Sequence, residues 1–192
     1  MASTAAPFGA RPVNTMSASG SFTGKVQHIK IASGYGTDIF NGDFVKLVSG
    51  GTVEKDTGTS TLTSVGIFLG VKYTDPSTNQ LTFNQYFPAS TAASDIFAYV
   101  LTDPDVVFLM QADGSIAQTA IGANFDVIQT GGSTSIGNSK NAVDADSVAT
   151  TNTLPLRIYD FYDGPESSIG DSFTDALFIF NAGHQYRNTT GV

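Results

Sequence analysis

Apolar residues fall along this chain in short runs, and nearly every run is closed by a turn signal. "KVQHIKI" is followed by Gly34 and Gly36, and "DFVKLVS" is entered through Asn41-Gly42 and left through Gly50-Gly51. "SVGIFLGVKY" stops at Asp75-Pro76, "LTFNQYF" at Pro88, "DIFAYVL" at Asp103-Pro104 and "VVFLMQ" at Asp113-Gly114. "FDVIQ" precedes Gly131-Gly132, "LPLRIYDFYD" precedes Gly164-Pro165, and "ALFIFN" lies near the end. Runs of this length and punctuation predict about nine or ten short strands. The expected fold class is all-β: an antiparallel β-barrel or sandwich, jelly-roll-like, with an extended N-terminal arm.

Period-two alternation shows in "LTFNQYF", where Leu81, Phe83 and Phe87 share one face and Thr82 and Asn84 the other. "SVGIFLGVKY" is apolar on both faces, which predicts a central strand covered on both sides. Gly66 and Gly70 inside it predict a bulge or a close backbone approach. Only "SIAQTAIGANFD" resembles a helix, a turn or two capped by Ser115 or Thr119 and ended by Gly122. Without a longer helical stretch there is no βαβ crossover, so a parallel α/β sheet is not expected. No internal repeat recurs at a fixed period.

The pattern divides the chain into an extended arm over 1–24, a single β-rich domain over 25–183 and a C-terminal tail over 184–192. Within the domain, residues 132–153 ("GSTSIGNSKNAVDADSVATTNT") are small and polar, and read as a long loop of the functional or partner-ordered kind. The arm contains "PFGARPV", in which two prolines, a glycine and an arginine bracket Phe8 and Val13. Fixing this arm costs roughly 1–2 kcal/mol per residue, whereas each large side chain buried returns about 1.5–3 kcal/mol. Pro7 and Pro12 reduce the deficit by restricting the unfolded chain, and pairing with a neighbour's sheet edge supplies the rest. The expectation is an arm loose alone and ordered on a partner, with Phe8 and Val13 as plugs, Arg11 as charged anchor, and Pro7 and Pro12 as stiffeners.

Composition reinforces the β reading: of 17 acids only Glu54 and Glu166 are Glu, and 20 Gly, 14 Phe and 7 Tyr accompany them. The absence of cysteine excludes disulfides, thiolate metal sites and cysteine catalysis. A net charge of −8 argues against nucleic acid as principal partner, since phosphate contacts need clustered Lys and Arg. No run approaches the roughly 18 apolar residues of a membrane span, and no secretory signal opens the chain; a soluble protein made in a cytoplasm is expected. Residues 1–72 carry six basic groups against four acids, and 73–192 carry three against thirteen, so one face suits an acidic partner.

Candidate chemistry is sparse. His28 and His184 are the available imidazoles, and no G-x-S-x-G elbow accompanies them. The carboxylate pairs Asp103/Asp105 and Asp144/Asp146 suit a glycosidase only if they share a sugar cleft. Asp103-Pro104 reads better as a turn, and "DADS" lacks the Gly and distal Glu of a calcium loop. No Gly-rich patch leads into a helix or a Lys-Ser/Thr pair, so no phosphate cradle is present. Asn188 heads a glycosylation sequon that has no meaning without secretion. No catalytic residue, cofactor or metal is expected.

"PFGARPV" near the start, "TDPDVVFLMQADG" in the middle and "TLPLRIYDFYDGPESSIG" before a final strand and His184-Gln185 together resemble a family of tailed-bacteriophage structural proteins. The likeness runs in order over most of the chain; where the family ends in "NNHQ", this chain has "NAGHQ" and further residues. The resemblance implies a virion protein on the outer capsid surface, a head decoration or cement protein that clamps neighbouring major capsid subunits. It further implies a homotrimer. The alternatives are a tail, baseplate or receptor-binding component of the virion, and a carbohydrate-acting β-domain enzyme.

Overall fold

The computed structural model describes residues 4–16, 24–187 and 191. In chain order the strands are β1 (Arg11–Thr15), β2 (Val26–Lys30), β3 (Phe44–Leu47), β4 (Val53–Lys55), β5 (Gly66–Thr74) and β6 (Leu81–Asn84). They continue as β7 (Phe97–Leu101), β8 (Val106–Gln111), β9 (Asn124–Ile128), β10 (Ala142–Ala149), β11 (Leu156–Phe161) and β12 (Asp175–Phe180). Sheet A has the order β1-β8-β12-β11-β9-β10, and sheet B the order β2-β7-β5-β3-β4 with β6 also paired to β5. All pairings between these strands are antiparallel, and the architecture is an all-β sandwich. The helix-like segment is a single 3-10 turn at Gln118–Ala120.

The main core lies between the sheets. Phe44, Ile67 and Leu101 from sheet B meet Phe108, Phe125, Phe178 and Phe180 from sheet A. Phe44 stands edge-on to Phe180 at 5.5 Å, and Phe125 to Phe178 at 5.8 Å, a geometry that adds to plain area burial. A second core covers the other face of sheet B: Val45, Phe68, Val71, Ala98 and Val100 lie beneath Ile31, Ile39, Phe87 and Ile96 from the segments beside the strands. β5 is thus apolar on both faces because both are covered. A Cβ on Gly66 would lie 2.0 Å from the Leu101 carbonyl oxygen, and the β5–β7 register shifts between Phe68 and Gly70. The close approach and the bulge anticipated there are both present.

Two readings of the chain's organisation change. The stretch 132–153 is not one long loop, since Ala142–Ala149 is β10, paired with β9. Its inward residues Ala142, Val143 and Ala145 are small, which hides the hydrophobic signal from the sequence. The arm is not detached: Arg11–Thr15 is β1, the edge strand of sheet A, paired with β8. The tail begins docked, with His184 Nδ1 2.6 Å from the Leu62 carbonyl oxygen and Arg187 4.0 Å from Asp105. "LTFNQYF" also splits, because Phe87 is buried in the second core while Leu81 and Phe83 on β6 stay open to solvent.

Candidate functional site: the docked N-terminal arm

The backbone of the arm finds its partners within its own chain. The Gln111 side-chain amide acts as a clasp: Oε1 accepts the Ala6 N–H at 2.7 Å, and Nε2 donates to the Thr4 carbonyl at 3.2 Å. Gly9 N–H then donates to the Asn141 carbonyl (3.2 Å) and Ala10 N–H to the Gly42 carbonyl (2.9 Å). β1 follows along β8, and Met16 N–H reaches the Asp105 carbonyl at 2.9 Å. These bonds, with burial of Gly9, Ala10 and Thr15, offset the ordering cost that side-chain burial alone leaves uncovered. The partner edge that the arm needs is β8 of the same chain.

The five arm residues singled out from sequence take distinct places. Pro7 and Phe8 are half-buried, and the Arg11 guanidinium carbon lies 4.5 Å over the Phe8 ring, within the reach of a cation–π contact. Pro12 is half-buried opposite Phe108. Val13 falls where the β1–β8 register shifts between Pro12 and Asn14, and it is exposed. Arg11 and Val13 therefore face outward from the sandwich edge, and among the described residues no strand pairs with the outer side of β1.

Beneath the arm sits a buried polar cluster that sequence reasoning missed. Four groups converge on the buried Asp43 carboxylate: Lys55 Nζ at 2.9 Å, Phe40 N–H at 2.9 Å, Ser139 Oγ at 2.6 Å and Asn141 Nδ2 at 3.2 Å. The Asn141 that binds Asp43 through its side chain also receives Gly9 through its carbonyl, so the cluster is one bond from the arm. Asp43 comes from the turn before β3, Lys55 from the end of β4, and Ser139 and Asn141 from the approach to β10. Buried charges persist where they are paired and fully hydrogen-bonded, and this carboxylate is.

Asp175, the cross-strand partner of Gln111, lies beside the clasp. Burial pushes its carboxyl above the usual range; a hydrogen bond from Gln111 and the Arg11 charge pull it partly back, and Glu166 adds to the rise. Its Oδ1 is buried with no hydrogen-bond partner. The folded state holds this proton more tightly than the unfolded chain does. Asp175 thus favours folding below its ordinary value of 3.8, and that contribution is lost as pH rises through the raised folded value. Asp126, pushed up chiefly by burial, acts in the same sense. Asp175→Asn should therefore match or exceed the parent's stability at neutral pH and show a shallower gain on acidification. Urea midpoints from about pH 4 to about pH 7 check this, and a variant weaker than the parent at neutral pH contradicts it.

The other candidates lie in strands, turns and the tail. His28 is on β2, edge-on to Tyr99 at 4.6 Å, while His184 lies in the tail beyond β12, against the Leu62 carbonyl. Asp103 accepts the Asp105 N–H at 3.0 Å inside the β7–β8 turn, and Asp144 accepts the Asp146 N–H at 3.1 Å within β10. Among the described residues no three His, Cys, Asp or Glu side chains gather as a metal site. Asn188 lies outside the described residues. A depression of about 430 Å³ beside β9 and β10 is lined by Ile116, Ala120, Phe125 and Val148 among small and hydroxyl residues, with no ionisable side chain. No described helix is long and apolar enough to cross a membrane. The chain matches no family model, no curated protein and no solved structure.

Proposed function

We propose that this chain is a non-enzymatic structural protein of a tailed-phage virion, seated on the outer capsid surface, where it clamps neighbouring major capsid subunits. The observation that carries the reading is the place of "PFGARPV", one of the three segments that carry the resemblance. Its last three residues open β1, an edge strand on whose outer side no described strand pairs, with Arg11 and Val13 turned outward and Phe8 held beneath Arg11. An open strand edge is a template for an added strand, and a neighbouring shell subunit supplies one in this reading.

The test is copy number in purified virions of the phage that encodes the chain, by quantitative mass spectrometry against the major shell protein. A ratio near one to one supports a lattice-wide clamp. A few copies per particle, or none, overturns it. Val13→Asp places a charge at the outward edge without touching the core, and should weaken retention on shells at least about tenfold. Unchanged retention removes the arm from the contact.

A further inference from the structure

The core-side face of sheet B extends past the part that sheet A covers. Leu101 and Ile67 are paired and lie in the main core. Two and four residues back along β7, Tyr99 and Phe97 point the same way yet are only half-buried. Direct cross-strand partners share a face, so Phe83, Lys72, Phe97 and Lys30 form one row across β6, β5, β7 and β2. Leu81 opposite Thr74 extends it. Phe83 is 66% and Leu81 60% exposed, the most open large hydrophobic side chains on these strands. Lys72 and Lys30 place their ammonium groups 5.4 and 5.7 Å from the Phe97 ring centre, one from each side. Two acids stand at this rim: Asp95 accepts the Thr74 N–H (3.1 Å) and hydroxyl (2.7 Å) and feels the Lys72 charge, and Asp75 accepts from Ser77 and Thr78 in the β5–β6 turn. In a chain of net charge −8 this is an apolar, cationic strip.

The same chain carries its complement. From the end of β11 into the β11–β12 connection, Tyr159, Asp160, Tyr162, Asp163 and Glu166 are all exposed. A tight turn with reciprocal Gly164 and Ser167 backbone bonds (3.0 and 3.4 Å) holds the connection. This end belongs to sheet A and shares no residue with the strip. We propose that the Phe83/Lys72/Phe97/Lys30 strip receives the Tyr159–Glu166 end of a second copy of this chain, head to tail. Strip against strip would bring four lysines together in a desolvated contact, whereas strip against the acidic tyrosine end pairs opposite charges over stacked rings. Such a heterologous contact either closes into a ring or runs on as a filament. It does not depend on the shell reading.

The test uses the full chain in sedimentation equilibrium at low and high salt. Self-association is expected, weakening as salt rises. Lys30→Glu/Lys72→Glu and Asp160→Lys/Asp163→Lys should each raise the dissociation constant at least about tenfold while melting like the parent. Mixed one to one, the two variants should associate again, because each reversed face then meets an opposite charge. Phe83→Asp, which puts a carboxylate into the apolar row, should raise the dissociation constant in the same way. A chain that stays monomeric at every salt, variants that associate as the parent does, or a mixture that stays apart overturns the proposal.

Discussion

Asp43→Ala should cost about 3–5 kcal/mol of folding free energy, the usual penalty for removing one partner of a buried ion pair. The loss has an identifiable source. Lys55 Nζ, now 2.9 Å from the carboxylate, is buried and would be left without its counter-charge. Three further donors, on Phe40, Ser139 and Asn141, lose the same acceptor at once. Against a total stability of about 5–15 kcal/mol this is about a fifth or more of what holds a domain together. Urea or guanidinium midpoints measure it, and the double variant Asp43→Leu/Lys55→Met separates its parts. Removing both charges should recover much of the loss, since a buried pair is worth little against well-packed apolar groups. Recovery stays incomplete, because the Ser139, Asn141 and Phe40 donors remain without an acceptor. If Asp43→Ala costs under about 1 kcal/mol, Lys55 escapes to solvent and the cluster is not a structural hub.

Little of that cluster is legible in the sequence, for a physical reason. Asp43 follows Asn41-Gly42 and reads as a turn acid; Lys55 sits in "VEKD" beside Glu54 and reads as a solvated strand end. Their contact joins residues from the two sides of β3 and β4, and Ser139 and Asn141 arrive from 96 and 98 positions away. Periodicity reports which residues share a face, and nothing about which distant side chain closes over it. The same limit explains Leu81 and Phe83: alternation groups them correctly, but cannot say that sheet A ends before it reaches them. What was legible was local. Asp103-Pro104 and Asp113-Gly114 mark strand ends because turn backbone is specified within a few residues, Gly66 marks the β5–β7 approach because a Cβ there has no room, and Gly70 marks the register shift beside it.

The arm tests this division most directly, through Gly9→Ala. Gly9 adopts φ +74°, and a Cβ on it would lie 2.5 Å from Ser139 Cβ, 2.8 Å from the Ser139 hydroxyl and 2.8 Å from the Gly42 carbonyl. Ser139 cannot retreat freely, because its hydroxyl donates to Asp43 and accepts the Asn141 N–H at 3.1 Å. Two costs therefore add: about 1–2 kcal/mol for an L-residue in the left-handed region and about 1–3 kcal/mol for overpacking. Gly34 supplies the control, since it has nearly the same φ, +73°, but nothing within 4 Å of its Cβ position. Gly34→Ala should show the backbone cost alone, and the excess in Gly9→Ala is the packing of the arm against Ser139. That excess should appear locally as well, as faster amide exchange along β1 and protease cleavage after Arg11, while β8 and β12 stay protected. Should the two variants lose the same stability with β1 still protected, the arm has slack at Gly9. The outward edge at Arg11 and Val13 would then rest on β1–β8 pairing and the Gln111 clasp without the cluster beneath.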